Sequence, residues 1–101
     1  MPTNADLGVA LRRLRWERKQ TIEDVAFAAK IHPTYLSGIE RGVRNPTWAK
    51  LCALATALGV SIAALGQCAE SEAYVADRAR QARRELEIRA DRGAEAAQEG
   101  P

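Results

Sequence analysis

Aromatic side chains, cysteine and histidine are scarce in this 101-residue chain. Aromatics make up 5% of the residues, and Ala and Leu dominate the apolar set, a composition that favours helices over sheets. Two cysteines, Cys52 and Cys68, and one histidine, His32, are too few for a disulfide framework or a structural metal site. We therefore expect both thiols to be packing or surface residues, with a redox switch as the alternative.

Long apolar runs and catalytic patterns are also missing. No window approaches the roughly eighteen apolar residues of a membrane span, and the first residues lack the basic and apolar regions of a secretory signal. No nucleophile–base pair, carboxylate pair in an apolar setting, metal cluster or glycine-rich phosphate loop is present in the sequence. We expect a cytoplasmic protein that is not an enzyme, needs no cofactor or metal and does not contact a membrane.

Charge divides the chain into two parts. Residues 1–66 hold nine Lys/Arg and five Asp/Glu, a net charge of +4, whereas residues 67–101 hold six Arg and eight Asp/Glu, a net charge of −2. The basic part is where a nucleic-acid partner is expected. The total length allows one compact domain with an appendage.

Apolar spacing predicts five short helices in residues 1–66. Leu7, Leu11 and Leu14 lie on one face of the first, which runs from Asp6 to about Lys19. The other four are predicted at Thr21–Lys30, Pro33–Arg41, Trp48–Leu58 and Ile62–Leu65. In the third helix His32 occupies the N-cap and Pro33 the first helical position, and Gly42 follows as a left-handed stop. The predicted fold class is therefore all-α.

The composition changes after Gly66, so residues 67–92 are assigned to a C-terminal amphipathic helix and residues 93–101 to a disordered acidic tail. The helix is predicted over residues 70–92, with an apolar stripe close to a coiled-coil seam. The stripe consists of Val75, Ala79, Ala82 and Leu86. It can dimerise, fold back on its own domain or dock an unidentified protein partner. Since two of its four residues are Ala, an isolated coiled coil would be weak, so dimerisation and fold-back are favoured.

Helices at Thr21–Lys30 and Pro33–Arg41, joined by a tight turn, have the layout of a helix-turn-helix. In that arrangement the first helix crosses the DNA backbone and the second inserts its N-terminal end into the major groove. Leu36 and Ile39 are predicted to anchor the second helix inward. The residues left on its outer face are Thr34, Tyr35, Ser37 and Gly38.

Three stretches, "LRRLR", "TIEDVAFAAKIHPTYLSGIERGVRNP" and "KLCALATALGVSIAAL", resemble the phage-repressor/Cro type of helix-turn-helix regulator, the XRE family. They cover about Leu7 to Leu65, nearly two-thirds of the chain. The segment "TYLSGIERGVRN" is especially similar to the controller proteins of restriction–modification systems. The resemblance implies a five-helix domain, here with an additional C-terminal helix. It also implies a transcriptional regulator that binds double-stranded operator DNA as a homodimer.

The resemblance further implies roles for individual residues. Contacts to bases and nearby phosphates are implied at Thr34, Tyr35 and Ser37, with Gly38 on the same face. Phosphate and groove-edge contacts are implied at Arg41, Arg44 and Asn45. Arg15 and Glu40 occupy the positions of an internal ion pair. The family often has Gln where this chain has Ile22, so no contact to the DNA backbone is carried over to that position. It often has Gly where this chain has Lys30, and Lys30 is expected to reach a phosphate.

Other interpretations of these residues remain. Tyr35 can pack against the bundle instead of contacting DNA, and Trp16 and Trp48 are expected in core or dimer packing rather than stacked on bases. Arg12, Arg13 and Arg18 are interpreted as a solvated face. At the level of function, the alternative to a DNA-binding regulator is a protein-interaction module on the same scaffold, such as an antitoxin or an anti-repressor partner.

Overall fold

A computed structural model of the chain describes residues 1–98, with side chains described for residues 1–93. Five α-helices follow one another: α1 Asn4–Glu17, α2 Ile22–Ala29, α3 Pro33–Glu40, α4 Trp48–Ala57 and α5 Ile62–Gln98. Residues 1–98 contain no strand, so the predicted all-α class is confirmed. The predicted ends of α2, α3 and α4 lie within one residue of the observed ones, because their caps and stop residues are visible in the sequence.

Side-chain caps fix where the helices begin. Thr21 and Asp24 form a reciprocal capping box at α2, in which the Asp24 N–H donates to the Thr21 hydroxyl (3.1 Å) and the Thr21 N–H donates to the Asp24 carboxylate (2.9 Å). The bond from the Thr21 backbone holds the pKa of Asp24 below its ordinary value. Thr3 and Asp6 form the same box at α1.

The core is built from one apolar face of each helix. Its fully buried large side chains are Leu11, Leu36, Ile39, Leu54, Leu58, Leu65 and Val25. Both predicted anchors of α3, Leu36 and Ile39, are 1% exposed. Burying a Leu or Ile side chain stabilises a fold by roughly 1.5–3 kcal/mol, so these two residues hold α3 firmly in place while its outer face stays free.

Gly8 allows α1 to cross the end of α3 at very short distance. A Cβ at this position would overlap the Glu40 carbonyl oxygen and lie 2.6 Å from the Ile39 carbonyl oxygen. Only glycine fits such an approach, because both neighbouring atoms belong to backbone. The contact brings the C-terminal end of α3 against α1.

α5 departs from the expected organisation. We expected a short helix at Ile62–Leu65, a break at Gly66 and a separate helix over residues 70–92. The structure instead has one 37-residue helix. Leu65, Ala69 and Ala73 are buried, and α5 packs mainly on α1. These contacts outweigh the roughly 1 kcal/mol that an internal glycine costs a helix.

The expected stop at Gly93 is also wrong, since α5 continues to Gln98. One exposed glycine among Ala, Glu and Arg residues lowers helix propensity but does not force a break. The predicted disordered tail is therefore helical over residues 93–98. Its last three residues, 99–101, lie outside the described part of the chain.

The two tryptophans do not pack into the core. Trp16 is 62% exposed and Trp48 is 68% exposed, so the expectation of core packing is wrong for both. Trp16 lies beneath Arg12, whose guanidinium carbon is 5.8 Å from the ring centroid. Dimer packing remains a prediction for these residues.

Within the described residues, no single helix has both the length and the apolar character to cross a membrane. Only Trp48–Ala57 and Ile62–Gly93 taken together, bent by 96° at their junction, match a broken span in length and composition. Leu54, Leu58 and Leu65 of these two helices are buried in the core.

Replacing Thr21 by Ala should lower the free energy of unfolding by about 1 kcal/mol, because an amide at the start of α2 loses its acceptor. Urea denaturation at pH 7 measures the change. Thr56→Ala is the matched control, since that exposed hydroxyl bonds only the Cys52 carbonyl within α4. A Thr21→Ala variant as stable as the control would contradict the capping role.

The same cap predicts the pH dependence of a companion variant, Asp24→Asn. Because folding lowers the pKa of Asp24, its stabilisation is present above the ordinary aspartate pKa and is lost as pH falls through the lowered value. The difference in free energy of unfolding between Asp24→Asn and wild type should therefore shrink in acid. A difference that grew toward acid pH would contradict this sign.

Candidate nucleic-acid interface

A three-residue turn sets α3 against α2. Lys30 ends α2 in the left-handed conformation (φ 58°, ψ 43°), and the Ile31 N–H donates to the Ala26 carbonyl at 3.0 Å. The Nδ1 atom of His32 then accepts from the Thr34 N–H at 3.0 Å, and Pro33 fills the first helical position. Lys30 thus adopts the backbone that glycine usually supplies, and its side chain is exposed.

The outer face of α3 begins with small polar groups. Thr34 is exposed, whereas Ser37 and Tyr35 are half-buried. Tyr35 packs its ring against the core and points its hydroxyl out, where it donates to the Asn45 carbonyl at 3.4 Å. Lys50 places its ammonium 4.5 Å from the centroid of that ring. Tyr35 therefore combines the packing role and the surface position that the sequence left as alternatives.

Gly38 corrects the sequence prediction. It was expected on the outer face of α3, but it is buried. A Cβ at this position would overlap Cγ of Arg44, so the aliphatic stem of Arg44 lies directly on the glycine. The Gly38 carbonyl accepts from the N–H groups of Val43 (3.0 Å) and Arg44 (3.1 Å). Gly38 therefore leaves room for the Arg44 stem, and its carbonyl holds the loop by two hydrogen bonds.

The loop after α3 carries the charge. Gly42 turns the chain in the left-handed region (φ 77°), as predicted, and Arg41, Arg44 and Asn45 are exposed beside it. Two loop amides are bonded to the Gly38 carbonyl, so the backbone that presents Arg44 is held to α3. The loop thus displays two guanidinium groups next to the polar face of α3.

Exposed charge between residues 30 and 50 is entirely positive. Lys30, Arg41, Arg44 and Lys50 are exposed, and the one acidic residue in this range, Glu40, is 4% exposed. Because the buried carboxylate is neutralised by its ion pair with Arg15, it does not offset the field of the four cations toward solvent.

Arg15 and Glu40 form a buried two-pronged ion pair. Arg15 donates from Nε to Oε2 of Glu40 at 2.8 Å and from its NH2 nitrogen to Oε1 at 2.9 Å. A third bond runs from Arg15 to the Gln20 carbonyl at 3.1 Å. Hydrogen bonding to Glu40 holds the pKa of Arg15 above its ordinary value, against the opposing effect of burial. The pair joins α1 to the end of α3.

Arg12 also reaches Glu40, with Nε at 3.4 Å from Oε1. Sequence reasoning assigned Arg12 to a solvated face and missed this contact. The spacing could have shown it, because residues three apart on a helix are neighbours and Arg15 was already paired with Glu40. Lys50, in contrast, gave no sequence signal, since its position over Tyr35 depends on how α4 follows the loop.

A shallow groove separates the starts of α2 and α3. Its walls are Ile22, Glu23, Pro33, Thr34 and Ser37. Ile22 packs against the core and has no side-chain donor. Glu23 is exposed and places a carboxylate beside the polar face of α3, a feature that sequence reasoning did not single out.

The family model described as "Helix-turn-helix domain" matches residues 6–66. This chain belongs to the helix-turn-helix domain family. The matched region begins in α1 and ends early in α5, so it includes the turn at Lys30, the polar face of α3 and the loop with Arg44.

Two curated relatives are helix-turn-helix regulators. The transcriptional regulator DdrOP3 of Deinococcus deserti is 44% identical over 52 residues, which are 52% of this chain and 40% of that protein. The uncharacterized regulator y4dJ of Sinorhizobium fredii is 47% identical over 55 residues, which are 54% of this chain and 71% of that protein. The matched segment is thus less than half of DdrOP3.

Solved structures share the fold over a larger part of the chain. The clp gene regulator ClgR of Corynebacterium glutamicum is 34% identical with a TM-score of 0.70, covering 79% of this chain and 86% of that chain. The restriction-modification controller protein C.Esp1396I, solved as a tetramer with its natural 35 base-pair operator, is 30% identical with a TM-score of 0.64. That match covers 68% of this chain and 91% of the controller chain.

Replacing Glu40 by Ala should lower the free energy of unfolding by about 3 kcal/mol, because it leaves the buried Arg15 guanidinium without its partner. Urea denaturation measures the loss. Glu17→Ala is the control, since Glu17 is exposed on α1 and should cost under about 0.5 kcal/mol. Equal stabilities of the two variants would show that the pair does not hold α1 to α3.

Proposed function

We propose that this protein is a sequence-specific DNA-binding transcriptional regulator that acts in the cytoplasm as a homodimer on a palindromic operator. The observation that carries the proposal is the surface formed by α3 and its following loop. There, small polar groups are flanked by four exposed cations, the acidic residue of α3 is buried, and Glu23 of α2 is an exposed carboxylate at the edge. Such a surface suits a polyanion whose bases must be approached closely.

From the general helix-turn-helix arrangement we infer which part of the duplex each part of this surface contacts. α2 lies across the phosphate backbone and α3 inserts its N-terminal end into the major groove. Thr34, Tyr35 and Ser37 then face base edges and the nearest phosphates. The short side chains of Thr34 and Ser37 allow the helix backbone to approach the groove floor, where hydroxyl groups bond either donors or acceptors.

Phosphate contacts fall to the residues around α3. These residues are Lys30, Arg41, Arg44 and Asn45. Arg44 is the strongest candidate among them, because Gly38 supports its stem and leaves its guanidinium exposed. A guanidinium suits both phosphate oxygens and the O6 and N7 acceptors of guanine. Glu23, at the edge of the α2–α3 groove, adds an acceptor that can disfavour a misplaced phosphate or accept from cytosine.

One solved relative supports the proposal of DNA binding. C.Esp1396I was crystallised as a tetramer on its operator, and its 30% identity to this chain accompanies the same fold. In a two-fold symmetric complex the half-sites lie about one helical turn, roughly 34 Å, apart. Bound there, the dimer either occludes a promoter or recruits polymerase.

A second candidate, a protein-interaction module such as an antitoxin, is favoured by one observation. The distal part of α5 exposes Tyr74, Val75, Leu86 and Ile88. If this were the main function, purification from the native host would recover a stoichiometric protein partner, and the isolated chain would have no measurable DNA affinity.

Arg44→Ala should weaken DNA binding about tenfold or more and reduce the slope of log affinity against log salt by about 1, because one phosphate or guanine contact is lost. The probe is a duplex selected by the wild-type protein from a random library, titrated by gel shift at several salt concentrations. Arg84→Ala, an exposed arginine on distal α5, is the matched control. An unchanged affinity and slope for Arg44→Ala would overturn the assignment of this surface.

Gly38→Ala should reduce DNA affinity under conditions in which the variant remains folded. The added methyl group displaces the Arg44 stem, while Ala in the middle of α3 improves helix propensity by up to about 1 kcal/mol. Gly66→Ala is the matched control, since it makes the same change in α5 where a Cβ meets no atom within 4 Å. If Gly38→Ala bound DNA as tightly as wild type, the contact between Gly38 and the Arg44 stem would not be what positions Arg44.

A further inference from the structure

The distal half of α5 presents an apolar stripe that has no partner within the described chain. Val75 is 59% exposed and Leu86 is 64% exposed, and Ala79 and Ala82 between them are exposed as well. Steps of four, three and four residues place all four on one seam of a helix. Fold-back, one of the expected arrangements, reaches only as far as Ala73 and Ala76, which lie on a different face of α5 and leave the seam uncovered.

The seam continues toward the bundle as a groove between α1 and α5. This groove has a volume of about 390 Å³. Its residues include Ala10, Leu14, Ala64 and Cys68, with Arg13 and Glu72 at the rim. Cys68 and Glu72 lie seven residues before Val75 and Ala79, so they occupy the same seam one heptad earlier. The groove and the stripe therefore form one continuous face.

We propose that a second copy of this chain covers that face, with the two α5 helices packed antiparallel. Val75 then packs against the partner's Leu86, and Ala79 packs against the partner's Ala82, with each contact occurring twice by symmetry. The proposal deepens the homodimer of the proposed function, on which it rests for its biological meaning, by giving that dimer an interface.

Charges beside the seam select the antiparallel orientation. In this register Arg78 faces the partner's Glu85, and the same pair repeats across the two-fold axis. One turn further, Glu72, which lies in the seam and pairs with Arg13 of its own copy, lies opposite the partner's Arg89. A parallel pairing would instead set Arg78 beside the partner's Arg83 in both copies. Charges flanking a helical seam decide orientation in this way, because opposite charges attract and like charges repel.

Small residues at the centre and the ends allow close contact. Ala79 and Ala82 let the helix axes approach to about 8 Å, the short end of the usual range. At each end Gly93, which is exposed and has no side chain, falls opposite Cys68 in the groove. The partner's helix can therefore enter the groove, which adds burial that the alanine layers alone do not supply.

The test is sedimentation equilibrium of the full chain without DNA. Arg78→Glu and Glu85→Arg should each weaken the dimer about tenfold, because two attractive pairs become repulsive. The double variant should return to within about threefold of wild type, since the pairs are restored with exchanged signs. Arg84→Glu, which makes the same charge change on the opposite face of α5, is the control and should leave the dimer unchanged.

Three outcomes would overturn the proposal: a wild-type monomer at every concentration, a double variant as weak as the single ones, or an Arg78→Glu dimer tighter than wild type. The last would indicate the parallel pairing. If the wild-type protein did not dimerise but still bound the selected duplex, only this proposal would be contradicted. A dimer without DNA affinity would instead contradict the proposed function.

Cross-linking tests the register without altering charge. In a Cys52→Ser, Cys68→Ser background, a mixture of Val75→Cys and Leu86→Cys chains should form disulfide-linked heterodimers under mild oxidation. Neither variant alone should cross-link, because position 75 lies about 16 Å along the axis from its own copy, beyond the roughly 7 Å limit between Cα atoms of a disulfide. Cross-linking of Val75→Cys alone would contradict the antiparallel arrangement.

Discussion

The buried pair between Arg15 and Glu40 is the contact on which the rest of the structure depends. It joins α1 to the last turn of α3 through two bonds of 2.8 and 2.9 Å, and Gly8 allows the two helices to approach closely enough for those bonds to form. A charged pair of this kind is costly to bury unless its geometry and remaining hydrogen bonds are satisfied. Here Arg12 and the Gln20 carbonyl complete the set.

The same pair shapes the electrostatics of the outer surface. Glu40 is the one acidic residue between positions 30 and 50, and burying it against Arg15 removes its charge from the surface that α3 and the loop present. The position of the Arg44 side chain depends on the neighbouring glycine rather than on a charged partner, because Gly38 leaves room for the Arg44 stem. Stability and charge presentation therefore depend on the same few residues at the end of α3.

The long α5 connects this compact bundle to a surface of different character. Its first turns pack on α1 through Leu65, Ala69 and Ala73, and the ion pair between Arg13 and Glu72 (2.6 Å) fastens the two helices at the rim of their groove. Further along, the apolar residues turn outward. In the proposed dimeric regulator, the groove-facing end lies on α3 and the self-associating face lies on α5, which are separate elements.

Local chemistry made most of the fold readable from the sequence. Caps such as Thr21 and His32, the glycine at position 42 and the spacing of Leu36 and Ile39 act within one or two helical turns, so they determine helices, the turn and the inward face directly. Tertiary packing decided what those patterns could not. Because of tertiary packing, α5 continues through Gly66, and Trp16 and Trp48 are exposed. Packing also buries Gly38 beneath Arg44 and places Lys50 over Tyr35. Each outcome depends on which distant side chain lies at that place.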